Sequence, residues 1–89
     1  MLAKVKHSLR ITNTAFDVEV QDLIDAAILD LSLGGITKLD QDNKTIIQAV
    51  TLYCKSHFGL ENKDSVKYGQ SYEWLKTRLS LSREFNSAL

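Results

Sequence analysis

Residues 42–59 read DNKTIIQAVTLYCKSHFG, and this stretch decides the architecture. At ~100° per residue, Ile46, Ile47, Ala49, Val50, Tyr53, Cys54, His57 and Phe58 fall together on about half of a helical wheel. A surface helix needs only a narrower apolar stripe, so a helix apolar over this much of its girth must touch at least two neighbours. The pattern therefore predicts a long central helix on which the others pack. Asp40 or Asp42 can accept hydrogen bonds from its first free N–H groups, and Gly59 can take the left-handed conformation that stops it.

Working outward, the apolar spacing is helical nearly throughout, and there is no proline. An all-α domain follows, a compact bundle of about four helices. Leu2, Val5 and Leu9 give a short first helix ending near Ile11, Thr12 and Asn13. Thr14 and Asp17 have the spacing of a capping box, which opens a second helix whose core face is Phe16, Val20, Leu23, Ile24, Ala27 and Leu31. Gly34 and Gly35 stop that helix, and residues 36–41 connect it to the central one. Asn62 or Asp64 can cap a last helix over about 65–80, with Tyr68, Tyr72, Leu75 and Leu79 as its narrow core stripe. Residues 1–80 thus form the domain. Residues 81–89, LSREFNSAL, lack a sustained apolar period and read as a short tail that orders on assembly.

Several large apolar residues fall off these core stripes. Val18, Leu29 and Leu33 share another side of the second helix with Asp22 and Asp25, and Leu52 stands among Thr45, Gln48 and Ser56 on the polar side of the central helix. Trp74 points away from the last helix's core stripe, one turn before Arg78, which suits a cation–π pair or an interface anchor. Such residues are either ordinary scattered surface or a subunit interface.

With 89 residues the chain makes one domain, burying only about 60–65% of the surface its unfolded form exposes. Eleven basic and eleven acidic residues cancel, which argues against a dedicated nucleic-acid binder. The local balance differs: Lys4, Lys6 and Arg10 open the chain, whereas Asp17, Glu19, Asp22, Asp25 and Asp30 follow with no base among them. That asymmetry is either a solvated surface or a complement to a neighbouring copy. The single Cys54 excludes an internal disulfide and fits a reducing compartment. No apolar run approaches the ~20 residues of a membrane span and no signal-peptide pattern opens the chain, so the expectation is a soluble intracellular protein with no membrane partner.

Chemistry finds little support. Cys54 and His57 have metal-like spacing, but zinc requires further ligands and His7 lies on another helix. A thiol packed in apolar surroundings is also a poor nucleophile. Asp22 and Asp25 read as an open, solvated helix face rather than an acid–base pair, and the Gly34–Gly35 pair lacks the surroundings of a phosphate loop. No catalytic, cofactor-binding or metal-binding set emerges, and no enzyme is expected.

The succession of elements resembles a known family. The segments VKHSLRIT at 5–12, Phe16-Asp17 leading to LIDAA at 23–27, IIQAV at 46–50 and YCKSHF at 53–58, followed by Glu61-Asn62, are similar to the small phage and prophage head–tail connector proteins, also described as DNA-packaging or head-completion proteins. Tyr68, Tyr72, Leu75 and Lys76 suit that family's last helix. The resemblance implies a structural adaptor that forms a homo-oligomeric ring, commonly a dodecamer, under the portal of the filled capsid. Such a ring extends the DNA channel and presents a surface to neck or tail-completion proteins, which places it at the virion neck and, during assembly, in the host cytoplasm. On this reading Val18, Leu29, Leu33, Leu52, Trp74, Arg78, Leu81, Arg83, Phe85 and Leu89 are candidates for the subunit or portal interface. Lys38, Lys44, Lys63 and Lys67 are candidates for a channel lining in non-specific contact with packaged double-stranded DNA. The alternative is a small helical DNA-binding regulator, but neither glycine turn is followed by the basic and amide residues that read base edges.

Overall fold

A computed structural model describes residues 1–58, 64–82 and 85, and among these every regular element is helical. The helices are α1 (Leu2–Leu9), α2 (Asp17–Leu33), α3 (Lys44–His57) and α4 (Ser65–Leu81). The helix read from residues 42–59 is the hub: among the described residues, α3 alone packs extensively against all three others. Ile46, Ala49, Val50 and Cys54 are completely buried on it, with Tyr53 and Phe58 at the edge of the core. Two members of the wheel arc differ, Ile47 being half-buried and His57 exposed. His57 instead stacks on Tyr53, one turn back, with ring centroids 4.1 Å apart.

The helix ends depart from the sequence expectations in informative ways. Asn43, rather than Asp40 or Asp42, caps α3, its Oδ1 accepting from the N–H groups of Thr45 at 2.8 Å and Ile46 at 3.3 Å. The Asp40 carboxylate is occupied one step earlier, accepting from the Asp42 N–H and shaping the turn before the helix. The Thr14–Asp17 capping box does not form: Phe16 occupies the N-cap position and Asp17 pairs with Lys6 of α1 at 2.5 Å. Phe16, read as core, is 43% exposed and meets Phe58 edge-to-face at 5.7 Å. Asp64 takes the N-cap position of α4, while Gly59 and Asn62 lie outside the described residues.

The two glycines end α2 as expected, and their geometry explains a missed core residue. Gly35 has φ 92°, and its N–H reaches the Ser32 carbonyl while the Ile36 N–H reaches that of Leu31. This pair of hydrogen bonds folds the chain back so that the side chain after the turn joins the core beside the last buried residue of the helix. Ile36 and Leu31 are accordingly both fully buried, although residues 36–41 read as a mere connector. Arg10 makes the same kind of turn after α1 with φ 61°, a conformation costing a non-glycine residue roughly 1 kcal/mol. That turn ends α1 at Leu9, short of the expected Ile11 to Asn13.

Phe85 also corrects the sequence reading. It is 8% exposed, part of the core, and its carbonyl accepts from the N–H groups of Thr37 and Lys38. The chain after α4 therefore folds back onto the segment after α2. Among the described residues no helix is long and apolar enough to cross a membrane.

Candidate functional site

The side chains with the strongest unmet need for a partner lie on the outer faces of α2 and α4. Val18, Leu29 and Leu33 on α2, and Val66, Trp74 and Leu81 on α4, are each between 60 and 79% exposed. On either helix the three fall within less than a quarter turn of one another at ~100° per residue, so each set is a stripe rather than a scatter. The α2 stripe is the second apolar side read from the sequence. The α4 stripe adds Val66 to Trp74 and Leu81, a residue that sequence reading passed over although its spacing of eight residues to Trp74 carried the signal.

Each stripe borders a groove. Val18 and Asp22 line an open depression with Phe16, Leu23 and His57, where the start of α2 meets the end of α3. Trp74 and Arg78 line another with Thr45 and Gln48 of α3 and with Phe85. Arg78 lies over the Trp74 ring with its guanidinium carbon 4.8 Å from the ring centroid, the cation–π pair expected from the i, i+4 spacing. Trp74 thus stands beside the start of α3. The remaining interface candidates separate. Leu81 is exposed, whereas Leu52 is half-buried against the core and Phe85 is inside it, and Arg83 and Leu89 lie outside the described residues.

The candidate channel lysines do not converge. Helices α3 and α4 are antiparallel: Lys55 lies over Tyr68, Tyr53 meets Tyr72, and Thr45 shares a groove with Ser82. Lys44 therefore sits at one end of the pair with Lys38, whose N–H holds Phe85, and Lys67 sits at the opposite end. Lys63 lies outside the described residues. At the Lys67 end, Arg10, Lys55 and Tyr68 line a cleft with Ser8 and Leu9. The turn that strains Arg10 is what delivers it there, and linear sequence did not join Arg10 to Lys55.

One polar cluster braces α2 against α4. The Tyr72 hydroxyl donates to Asp30 Oδ2 at 2.5 Å, and the Lys76 ammonium donates to the same oxygen at 3.0 Å. The Tyr72 bond, with Lys76 adding to it, holds the Asp30 carboxyl below its usual range, while burial and the facing carboxylate push Tyr72 strongly up. Nothing here is poised for proton transfer, because both groups are driven further from neutrality. Burial likewise pushes the Cys54 thiol up to about 12, which leaves it a packing residue, and among the described residues no three potential ligands are grouped to hold a metal.

Comparison with known proteins adds one decisive match. The family model described as "Phage connector protein" covers residues 1–86. The chain belongs to the phage connector protein family. No curated protein and no solved structure matches it. In this connector the match spans all four helices, the two outward apolar stripes and Phe85.

Proposed function

We propose that this connector is a structural subunit of the phage neck, forming a ring under the portal that extends the DNA channel and joins the capsid to neck or tail-completion proteins. The observation that carries this reading is the pair of exposed apolar stripes on a family member whose core is otherwise closed. A small domain gains by covering such surface, and a ring of copies covers it with contacts in which one patch meets a different patch of the next subunit. The ring is assembled in the host cytoplasm and retained in the virion, its subunit number set by the portal, a dodecamer in the arrangement this family suggests. Its contact with DNA is non-specific, made by dispersed bases such as Lys38, Lys44 and Lys67 and by the Arg10–Lys55 cleft.

The regulator reading is disfavoured by α3. A recognition helix must offer one long face to the major groove, and its partner helix must follow a turn of three or four residues. Here α3 is enclosed by the other three helices, and residues 34–43 separate it from α2.

The test is size-exclusion chromatography with light scattering and electron microscopy of the purified chain, alone and with portal rings. Annular particles or portal caps are expected. A chain that stays monomeric, ignores portals and binds one DNA sequence tightly at physiological salt belongs to a regulator. Any DNA binding by the ring should weaken steeply with salt, because phosphate contacts release counterions.

A further inference from the structure

The two stripes differ in a way that specifies their occupants. Both run from first to last residue over the same length, Val18 to Leu33 and Val66 to Leu81, about 22 Å at 1.5 Å per residue. Their charges are opposite. Helix α2 carries Asp17, Glu19, Asp22, Asp25 and Asp30 and no lysine or arginine. Asp22 and Asp25 lie within its exposed stripe, and Asp25 accepts from the neutral amide of Gln21 at 2.9 Å. Helix α4 carries Lys67, Lys76, Arg78 and Glu73; Lys76 is turned inward to Asp30 at 3.0 Å, which leaves Lys67 and Arg78 against Glu73 on the outer side, a net positive charge.

We infer that, in the ring proposed above, the acidic apolar face of α2 on one copy docks antiparallel against the basic apolar face of α4 on the next copy, with Arg78 set beside Asp22. The proposal rests on the ring reading and names the surfaces that build it. Two α2 faces brought together would oppose carboxylates, and two α4 faces would oppose cations, so like-with-like dimers are disfavoured on both helices. Only the mixed contact matches apolar to apolar and acid to base. It is by nature head-to-tail, the kind of contact that propagates to a ring when its rotation closes.

Antiparallel alignment follows from where the charges sit. With Val18 opposite Leu81 and Leu33 opposite Val66, Trp74 comes level with Asp25 and Arg78 with Gln21, one residue from Asp22. Parallel alignment would bring Arg78 level with Asp30, whose carboxylate already accepts from Tyr72 and Lys76 inside its own subunit. One helix pair of this length covers on the order of a few hundred Å² per copy, below the roughly 800 Å² per partner of a standard stable interface. The contact is therefore weak singly and gains strength from ring closure or from a portal template.

The test is oxidative cross-linking of the full chain carrying both Asp22→Cys and Arg78→Cys, at high concentration, read on a non-reducing gel. Cys54 is fully buried and does not compete. A ladder of dimers, trimers and longer species is expected from the double variant, and dimers alone from an equal mixture of the two single variants. Each single variant by itself should stay monomeric. A second pair, Val18→Cys with Leu81→Cys, should give the same ladder, and circular dichroism checks that each variant is folded. Strong dimerisation of either single variant would overturn the head-to-tail assignment in favour of a two-fold contact. No ladder from either folded pair, alongside annular particles of the unmodified chain, would overturn the α2–α4 pairing and leave the ring reading intact. A ladder from chains that form no annular particles and bind no portal would keep the contact and reject the ring.

Discussion

Asp30 accepts from both Tyr72 and Lys76, and it is the point at which α2 is fastened to α4. The Asp30 side chain is 36% exposed, so its pairing with Lys76 contributes little, whereas Tyr72 is almost wholly buried and its hydroxyl has the carboxylate as partner. A hydrogen bond to a charged group contributes about 1.5–3 kcal/mol, and the partial exposure places this one at the lower end. Tyr72→Phe should therefore lower stability by about 1.5 kcal/mol, measured by urea unfolding. The pH dependence has a definite sign. A carboxyl held below its ordinary 3.8 stabilises the fold at pH values above that, and the contribution is lost as pH falls through the depressed folded-state value. In Tyr72→Phe the carboxyl returns toward normal and this acid-sensitive contribution shrinks. An acid-unfolding profile that flattens below pH ~4 relative to the parent, with Asp30→Asn flattening it similarly, checks the assignment. Trp74 gives a second residue-scale prediction. At 62% exposed, its emission in a verified monomer should be red-shifted and open to quenching, and Trp74→Ala should leave the monomer's stability within ~0.5 kcal/mol of the parent's while weakening assembly. A blue-shifted, protected monomer spectrum would refute this.

At the scale of elements, α3 was readable because its apolar positions are dense enough to demand several neighbours, and residues 42–59 contain both its length and its central place. What the wheel could not decide is which members of a broad arc are innermost. Val50 is completely buried and Ile47 half-buried, so Val50→Asp should abolish the cooperative thermal transition while Ile47→Asp should keep one at reduced temperature. Equal behaviour of the two would place the centre of the arc elsewhere. Caps were legible only as a class of residue: 40–43 contains three that can accept the hydrogen bonds, and the turn through the Asp40 carboxylate leaves Asn43 in position. The capping box at Thr14 failed for a tertiary reason, since Asp17 is drawn to Lys6, a partner eleven residues back on another helix. The exposed stripes were visible on α2, where three apolar residues stand among acids, and only half visible on α4, where Val66 sits at the helix start and Arg10 and Lys55 come together only through the fold.

For the whole molecule, the limit of local reading is Phe85. Its neighbours Arg83, Asn86 and Ser87 are polar, so no period marks it as core, and residues 81–89 read as a tail serving a partner. A single large side chain needs no period if the chain can turn and bring it back. Phe85 does so after Ser82, with its carbonyl taking the Thr37 and Lys38 N–H groups and its ring joining the common core. This changes what a truncation reports. Removing residues 83–89 should not act on docking alone, because losing a buried phenylalanine costs about 3–5 kcal/mol against a total of about 5–15 for a domain of this size. Phe85→Ala should then lower the melting temperature by on the order of 15–25 °C in the isolated chain, and the truncation by at least as much. Phe85→Leu keeps most of the apolar volume and should recover much of the loss. If Phe85→Ala melts with the parent while losing only its grip on portals, residue 85 acts at an interface after all. If instead stability falls and Phe85→Leu restores both stability and assembly together, the last residues serve the ring by completing the fold of each subunit.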